Sequence, residues 1–393
     1  MSIETAITGA WQRRAAWLWL LLPISWLYGL LTQLRRQAYK AGLFASFRAP
    51  IPVMVIGNIT VGGSGKTPLI ITLVSYLQQQ GVKVGVISRG YGGDSSQMPA
   101  LVTKNSLPSI VGDEPCLIVN MTDVPMAVCP NREQAITTLL KKHPDLQLII
   151  ADDGLQHYAL QRDIEWIVVD VARGFGNEQL LPTGFLREPM ARLTQATVIY
   201  HQKPKAVTTR DDNENLAQRL TMQLQPDSLY PVLSDDDINS DINSNINNAV
   251  KGGISSSTVV MPSTSSTVHA VSGIGYPQRF FATLRTLGFE VIEHPYPDHH
   301  DFSLSDLLQY SQYPIIVTTK DAVKIRTLLA NIIKNSNEDS AEKAEPLSNI
   351  DYKALANRLW VLPVTATLSD DCYQTLQQQL IELNISIPKP INK

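Results

Sequence analysis

Short apolar runs alternate with polar turns and amphipathic stretches over most of the chain. Aliphatic and β-branched residues predict buried strands at 53–56, 82–88, 125–128, 146–151, 164–169 and 197–200. Stretches with helical spacing lie between some of them, at 66–80 and 131–142. Strands that alternate with helices form parallel sheets covered on both faces. The pattern therefore predicts an α/β fold, with a mostly parallel sheet and helices on both of its faces.

The same alternation resumes after a polar segment in the second half of the chain. Further strands are expected from residue 268 and at 289–292, 315–318 and 359–364, which predicts a second, smaller α/β domain. Two polar segments, 234–267 and 335–349, cannot build a core and are expected to be disordered insertions. The predicted organisation is a helical segment at 1–49, a first domain at 50–225, a linker at 226–267 and the smaller domain at 268–393.

One segment near the start departs from this pattern. Residues 15–34 carry no charge, basic residues flank them on both sides, and four of the six tryptophans lie in or just before them. As a helix they would measure about 30 Å, enough to cross a hydrocarbon core. We expect membrane contact, through a single spanning helix kinked by Pro23 or through a helix lying in the interface. A buried core helix is the alternative; a cleaved signal peptide is disfavoured because no small-residue cleavage site follows.

A glycine-rich loop lies between the first predicted strand and the first predicted helix. Glycines let backbone N–H groups surround phosphate oxygens at a helix N-terminus. A lysine at its end reaches the β- and γ-phosphates, and the next hydroxyl ligates Mg²⁺. Thr60 stands where the strict pattern has glycine, and a flexible turn is the simpler alternative. The loop predicts binding of a nucleoside triphosphate with Mg²⁺ by Gly62, Gly63, Ser64, Gly65, Lys66 and Thr67.

Acidic residues occur at the ends of other predicted elements. The run 146–151 ends in Asp152 and Asp153, and a strand ending in aspartate beside a phosphate-binding loop is the Walker B arrangement that holds Mg²⁺. Asp113 opens an apolar helical stretch, where it could act in catalysis or merely cap the helix. His299 and His300 lie between two aspartates, but zinc is disfavoured because no further His/Cys cluster accompanies them.

Composition narrows the class of protein. Lys and Arg number 33 and Asp and Glu number 36, and this net charge of −3 argues against a general nucleic-acid binder. Apolar residues make up 44% of the chain, enough for ordinary cores. Three scattered cysteines do not form a disulfide framework and suit a reducing compartment. We therefore expect a globular cytoplasmic protein with one membrane-associated segment and no nucleic-acid partner.

Eight motifs together resemble one known family. In chain order they are GNITVGGSGKTP, SRGYGG, GDEP, ADDGLQH, LPTGFLREP, SGIGYPQRF, YPDHHDF and VTTKDAVK. This order is similar to that of the tetraacyldisaccharide 4′-kinase family of lipid A synthesis, over nearly the whole chain from about residue 17 to residue 368. In that family a small hydroxylic residue is usual at the position of Thr60.

The resemblance implies an activity, an architecture and a location. The activity is ATP-dependent phosphorylation of the 4′-hydroxyl of a tetraacylated glucosamine disaccharide 1-phosphate, which forms lipid IVA. The architecture is a P-loop NTPase-like kinase domain and a smaller α/β domain, with the active site in the cleft between them. The location is the cytoplasmic face of the bacterial inner membrane, with peripheral or single-helix anchoring. No obligate protein partner is inferred.

The resemblance also implies roles for particular residues. Lys66 and the loop amides would hold the phosphates of ATP, and Thr67 with Asp152 or Asp153 would hold Mg²⁺. Asp113 would accept the proton of the sugar hydroxyl, and His299, preferred to His300, would set its pKa. Contacts to the ligands are implied for Arg89, Tyr91, Arg132, Gln156, His157, Arg187 and Glu188.

Two other functions compete with the kinase. A membrane-associated GTPase or ATPase switch would share the phosphate-binding loop, but the N/T-K-x-D element of guanine specificity is off by one residue at 319–321. A nucleotide-binding accessory of lipid transport would share the loop as well. The pairing of the Walker B aspartates with the Asp-His-His loop favours the kinase.

Overall fold

Two sheets, of nine and five strands, organise the chain. The computed structural model describes residues 7, 9–11, 13, 15–202, 220–233, 261–337 and 354–385. The described residues of Met1–Gln225 and Thr365–Lys393 form a first unit, and those of Pro226–Val364 form a second. Parallel pairing predominates in both sheets. The predicted α/β class with a mostly parallel sheet is confirmed.

The sheet of the first unit has β1 near its centre. Across the sheet the order is β14-β8-β7-β6-β1-β5-β2-β4-β3. Its strands are β1 (Val53–Gly57), β2 (Val84–Ser88), β3 (Ala100–Val102), β4 (Met126–Val128), β5 (Leu148–Asp152), β6 (Ile164–Asp170), β7 (Thr197–Gln202), β8 (Thr221–Pro226) and β14 (Val364–Leu368). β1 runs parallel to β5 and β6, and all five of its residues are buried. Burial on both faces explains why its sequence is continuously apolar.

Among the described residues, five helices of ten or more residues belong to the first unit, and all but the first of them bury apolar residues. They are α1 (Leu22–Lys40), α2 (Lys66–Gln79), α3 (Asp113–Thr122), α4 (Arg132–Lys142) and α8 (Asp370–Glu382). α2 buries Leu69, Leu73 and Leu77, which are spaced by one helical turn. α4 begins after Asn131, whose side chain accepts hydrogen bonds from two backbone N–H groups of the first turn.

The second unit is built on the smaller sheet, in the order β11-β10-β12-β13-β9. Its strands are β9 (Tyr230–Pro231), β10 (Thr267–Ser272), β11 (Glu290–Pro295), β12 (Ile315–Thr318) and β13 (Leu359–Leu362), and its helices are α5 (Pro277–Thr286), α6 (Leu304–Leu308) and α7 (Thr319–Asn337). Ile316 and Val317 of β12 belong to two different clusters of buried residues. Neighbouring residues of a strand point to opposite faces, so this sheet is buried on both sides.

The C-terminal part of the chain lies with the first unit, contrary to the predicted domain at 268–393. The sequence analysis expected one strand at 359–364, whereas Pro363 separates β13 from β14 and β14 joins the nine-stranded sheet. Proline lacks the N–H that a continuous strand needs. α8 also contacts this sheet, because Trp166 Nε1 of β6 donates to Gln379 at 2.9 Å. The predicted insertions at 234–267 and 335–349 lie mostly outside the described residues.

The N-terminal apolar segment is a 3₁₀ helix (Ala16–Leu21) that continues into α1. Pro23 lies in the first turn of α1, where proline is tolerated, rather than within a continuous helix. Ala16–Lys40 is long and apolar enough to cross a membrane, by length and composition alone. Only 11% of its most apolar window is buried, so the alternative of a buried core helix is wrong.

One side of α1 is attached to the first unit. Ser25 is buried, and its Oγ donates to the Leu180 carbonyl at 3.0 Å and lies 2.8 Å from Thr183 Oγ1. The Tyr28 hydroxyl donates to the Arg187 carbonyl at 3.1 Å. Large apolar side chains of the same segment are exposed: Trp17, Trp19, Leu20, Ile24, Trp26, Leu27, Leu30, Leu31 and Leu34. The helix is therefore held along one side and presents an apolar surface elsewhere.

Candidate active site

The glycine-rich loop connects β1 to α2, in the strand–loop–helix order that the sequence predicts. Gly62 and Gly65 have φ angles of 90° and 91°, in the left-handed region that favours glycine. A Cβ on Gly65 would lie 2.7 Å from Met222 Cε, whereas one on Gly63 would meet open space. Thr67 follows in the first turn of α2, at the helix end where anions are stabilised. The loop thus has the backbone shape that phosphate binding requires.

Two hydroxylic residues of the loop are buried. Thr60 Oγ1 accepts a hydrogen bond from Asn58 Nδ2 at 3.2 Å, and Thr60 forms an isolated bridge with Leu186. This anchoring explains how threonine replaces the usual glycine there. Ser64 Oγ is buried and has no hydrogen-bond partner within the described residues. A buried hydroxyl without a partner is costly, which favours a ligand beside Ser64.

Lys66 belongs to a cluster of charges at the carboxyl end of β1. Its Nζ lies 3.3 Å from Asp153 Oδ1 and donates to Asn58 Oδ1 at 3.0 Å. Both carboxylate oxygens of Asp153 accept hydrogen bonds from Arg187, at 3.0 and 3.1 Å. Burial opposes the charge of Asp153, but Lys66 and Arg187 hold its pKa below the usual range. Asp153 is therefore a carboxylate whose two oxygens are engaged by cations.

Asp152 has a different environment, although it is the neighbouring residue. It ends β5 and pairs in register with Ile56 of β1. Its Oδ2 accepts from Ser88 Oγ at 3.2 Å, while its Oδ1 is buried without a hydrogen-bond partner in the described part of the chain. Burial, and then the charges of Glu114 and Asp153, raise its pKa to about 7. Asp152 thus has an oxygen available to a cation.

The GDEP motif lies at the N-terminus of α3. Asp113 is the first residue of this helix and is buried, and its Oδ1 accepts from the backbone N–H of Glu114 at 3.0 Å. The preceding Gly112 has a φ of 94°, and a Cβ on it would lie 2.5 Å from the Tyr91 carbonyl. Tyr91 belongs to the SRGYGG loop, so these two motifs pack together. Because Glu114 raises the pKa of Asp152, GDEP also lies near the Walker B residues.

Three of the predicted ligand contacts take part in buried hydrogen bonds of the fold. Arg132 is buried and donates to the carbonyls of Asp152 and Cys129, at 3.1 Å in both cases. Glu188 accepts from Gln156 at 2.8 Å and from Arg192 at 3.0 Å. Both carboxylate oxygens of Glu188 are thereby engaged. These contacts give Arg132, Gln156 and Glu188 a structural role in addition to the predicted one.

The other predicted contacts lie closer to solvent. Arg89 and Tyr91 are exposed after the end of β2. His157 is half-buried and lines a cavity of about 470 Å³ with Phe47 and Asn131 among its walls. Burial, together with nearby arginines such as Arg132, lowers the pKa of His157 to about 4. His157 is therefore a neutral imidazole at physiological pH.

The predicted catalytic histidine belongs to the second unit. His299 has a φ of 59°, its Nε2 lies 3.2 Å from Lys320 Nζ, and it lies 3.8 Å from Asp298. His300 instead contacts Asp306, 3.2 Å from its Nε2. Since Asp113 belongs to the first unit, its pairing with His299 stays a prediction.

Sequence reasoning missed several residues of these clusters. Asn58, Ser88 and Glu114 contact or influence the P-loop and Walker B residues, and Lys320 contacts His299. Asn58 lies within the GNITVGG motif and Glu114 within GDEP, so the signal was present in motifs that were quoted for other residues. Ser88 likewise opens the SRGYGG motif and Lys320 lies within VTTKDAVK, but neither motif indicates which distant residue is the partner.

These features define the class of protein. A glycine-rich loop before a helix, a lysine at its end, and an aspartate ending the adjacent parallel strand are the parts of a P-loop nucleoside-triphosphate-binding protein.

Comparisons with known proteins extend this assignment. The profile of the tetraacyldisaccharide-1-P 4′-kinase family, LpxK, matches residues 17–381. A tetraacyldisaccharide 4′-kinase of Psychrobacter arcticus is 67% identical over 98% of this chain and 97% of its own length. That of Pasteurella multocida is 42% identical over 80% and 88%. The chain belongs to the tetraacyldisaccharide-1-P 4′-kinase family.

A solved structure supports the fold. The crystal structure of LpxK from Aquifex aeolicus in complex with ATP matches 93% of this chain and 99% of that chain, with a TM-score of 0.62 and 22% identity. At this identity the likeness concerns the fold alone.

Proposed function

We propose that this chain transfers the γ-phosphate of ATP to the 4′-hydroxyl of a tetraacylated glucosamine disaccharide 1-phosphate, forming lipid IVA. Its family and the names of its relatives supply the reaction. One observation carries the chemistry: Lys66 Nζ of the P-loop lies 3.3 Å from Asp153 Oδ1, and the neighbouring Asp152 has an Oδ1 that is buried without a hydrogen-bond partner among the described residues. A cation for the phosphates and a ligand for their metal are thereby available together.

The transfer needs a proton acceptor as well as charge stabilisation. The 4′-hydroxyl oxygen attacks the γ-phosphorus, the bond to the bridging oxygen breaks, and its electron pair leaves with ADP. The hydroxyl proton passes to Asp113, whose burial and position beside the SRGYGG loop support this role. His299, which has Lys320 and Asp298 beside it in the second unit, stays the residue predicted from the family resemblance to set the pKa of Asp113.

Mg²⁺ fits the residues at this edge. The unpartnered Oδ1 of Asp152 and the hydroxyl of Thr67 are hard oxygen donors of the kind that Mg²⁺ prefers. Asp153 is the weaker candidate because Lys66 and Arg187 engage its oxygens. Among the described residues no three His, Cys, Asp or Glu side chains form a metal site. We therefore propose that Asp152 and Thr67 would hold Mg²⁺, which would neutralise charge on the phosphates of ATP.

The lipid substrate supports membrane association through α1. A tetraacylated sugar stays in the bilayer, so its kinase must act at the surface. The contacts of Ser25 and Tyr28 with residues 180–187 tie one side of α1 to the catalytic unit, which favours a helix lying in the interface over one that spans. We propose the cytoplasmic face of the bacterial inner membrane, where ATP is available.

Label transfer tests the function. The full-length chain is incubated with detergent-dispersed tetraacyldisaccharide 1-phosphate, Mg²⁺ and γ-labelled ATP. We expect label on the lipid after solvent extraction has removed ATP and free phosphate, and no label when the acceptor lacks the 4′-hydroxyl. Release of labelled phosphate without labelled lipid would support an ATPase switch or a transport accessory instead.

A further inference from the structure

An arginine of the loop after β6 touches the phosphate-binding loop. β6 and β1 are parallel neighbours, with Ile167 opposite Gly57. The carboxyl ends of neighbouring parallel strands lie at the same edge of a sheet. The loop that begins at Val171 therefore emerges beside the P-loop, and Arg173 is its third residue.

The contact is close and involves a glycine of the P-loop. Nη1 of Arg173 donates to the Val61 carbonyl. A Cβ on Gly62 would lie 3.0 Å from Nη1 and 3.4 Å from Nη2 of Arg173. Because Gly62 has no side chain, the guanidinium can pack directly against the loop. A guanidinium carries five N–H donors in a planar fork.

Several other contacts fix the position of Arg173. Its guanidinium carbon lies 4.6 Å from the centre of the Phe185 ring, a cation–π arrangement. Its backbone N–H and that of Ala172 donate to Asp170 Oδ1, at 3.3 and 3.1 Å. Gly176 of the same loop packs directly on Phe185, since a Cβ there would lie 2.3 Å from the ring. These contacts hold the loop against Phe185 and fix the position of the Arg173 guanidinium.

We propose that Arg173 is a further catalytic residue, an arginine finger supplied by the chain itself that donates to the γ-phosphoryl group during transfer. This inference rests on the proposed kinase function. As the bond from the γ-phosphorus to the bridging oxygen breaks and that to the sugar oxygen forms, negative charge lies on the phosphoryl and bridging oxygens. The backbone of the P-loop and its lysine hold the β- and γ-phosphates, so a guanidinium against Gly62 is beside that charge.

A catalytic role and a structural role predict different kinetics. If Arg173 only braces the Val61 carbonyl, its loss should weaken ATP binding, ADP binding and thermal stability together. If it stabilises the transferring phosphoryl group, its loss lowers kcat while Mg·ADP, which lacks that group, binds as before. Lysine cannot replace it fully, because the planar fork of donors is lost.

The test compares Arg173→Ala and Arg173→Lys with Arg48→Ala, a control arginine paired with Asp163 on the surface. Lipid phosphorylation gives kcat and KM for ATP, and calorimetry gives the Kd of Mg·ADP. We expect kcat to fall at least about 100-fold in Arg173→Ala, the scale of one preorganised donor, and less in Arg173→Lys. Mg·ADP affinity should stay within error of the wild type in both Arg173 variants, and Arg48→Ala should match the wild type in kcat, KM and Mg·ADP affinity.

The outcomes separate the two proposals. A kcat of both Arg173 variants close to that of the wild type, or a loss of Mg·ADP affinity in step with kcat, would overturn the role of Arg173. If Arg173→Ala does not fold, Arg173→Lys decides alone by the same criteria. Failure of the wild-type chain to label the lipid would instead overturn the kinase function; the ratio of variant to wild-type ATP turnover would then still report on Arg173.

Discussion

Membrane binding through α1 can be tested without disturbing the contacts of that helix with the fold. Leu20, Trp26 and Leu31 are 80%, 67% and 57% exposed. Their replacement by Ser, Gln and Gln removes apolar surface that packs little within the chain. Deleting residues 1–36 is less informative, because it also removes the Tyr28 hydroxyl from the Arg187 carbonyl.

The expected loss of affinity follows from the exposed areas. Fully burying a leucine gives roughly 2 kcal/mol, so the exposed parts of Leu20 and Leu31 amount to about 2.5 kcal/mol together. Two thirds of a Trp side chain of roughly 200 Å² adds about 3 kcal/mol. An interfacial helix buries only part of this surface. Taking half of the sum gives about 3 kcal/mol, or roughly a 100-fold lower partition coefficient.

Sedimentation with anionic lipid vesicles measures this coefficient directly. The matched control is Met121→Gln with Ile381→Gln, which removes exposed apolar side chains outside α1. The triple variant should stay in the supernatant, keep its melting temperature and bind Mg·ATP normally. Co-sedimentation of the triple variant at the wild-type level would refute the assignment of this surface to the membrane.

Two further perturbations address the site, and a third addresses a buried carboxyl of the second unit. Lys66→Ala should lower lipid phosphorylation by several hundred-fold or more, and near-normal turnover would contradict the P-loop assignment. Asp152→Asn should raise the Mg²⁺ concentration needed for half-maximal turnover, because the amide keeps the shape of the side chain but lacks the negative charge that attracts the cation. An unchanged Mg²⁺ requirement would count against this ligand. Burial raises the pKa of Asp321 from 3.8 to about 6, so the folded state keeps this proton while the unfolded state releases it between pH 4 and 6. The free energy of unfolding should therefore fall by at most about 3 kcal/mol as the pH rises over that range, and change little above it. Asp321→Asn should abolish this pH dependence, as followed by melting temperature, and an unaltered pH profile would exclude Asp321 as its source.

Local patterns predicted the elements that carry the phosphate chemistry. β1 and α2 were predictable because a buried parallel strand, a glycine-rich loop and a helix leave a continuous pattern in sequence. The Asn131 cap of α4 was predictable for the same reason, since its partners are two and three residues away. The positions of Asp152 and Lys66 follow from the parallel pairing of neighbouring strands.

Long-range partners were not predictable from the same patterns. β14 joins the large sheet although it follows β13 of the small one after a single proline. The different environments of Asp152 and Asp153 depend on Ser88, Glu114 and Arg187, which are distant in sequence. Single-sequence periodicity describes which face of an element is buried, but not which other element covers it.

Residues 180–187 connect the apolar helix to the nucleotide site within the first unit. Ser25 and Tyr28 of α1 contact Thr183 and the Arg187 carbonyl, and the Arg187 side chain engages Asp153, which in turn engages Lys66. Each link is a hydrogen bond or ion pair of ordinary length, so a movement of α1 on the lipid surface would act on the charge cluster through three consecutive contacts, from Tyr28 to Arg187, Asp153 and Lys66. Tyr28→Phe removes one of them and leaves the exposed apolar surface of α1 intact. A lower turnover of Tyr28→Phe with unchanged vesicle binding would therefore show that α1 acts on the charge cluster through this contact. Unchanged turnover would show that α1 serves only to dock the protein on the membrane.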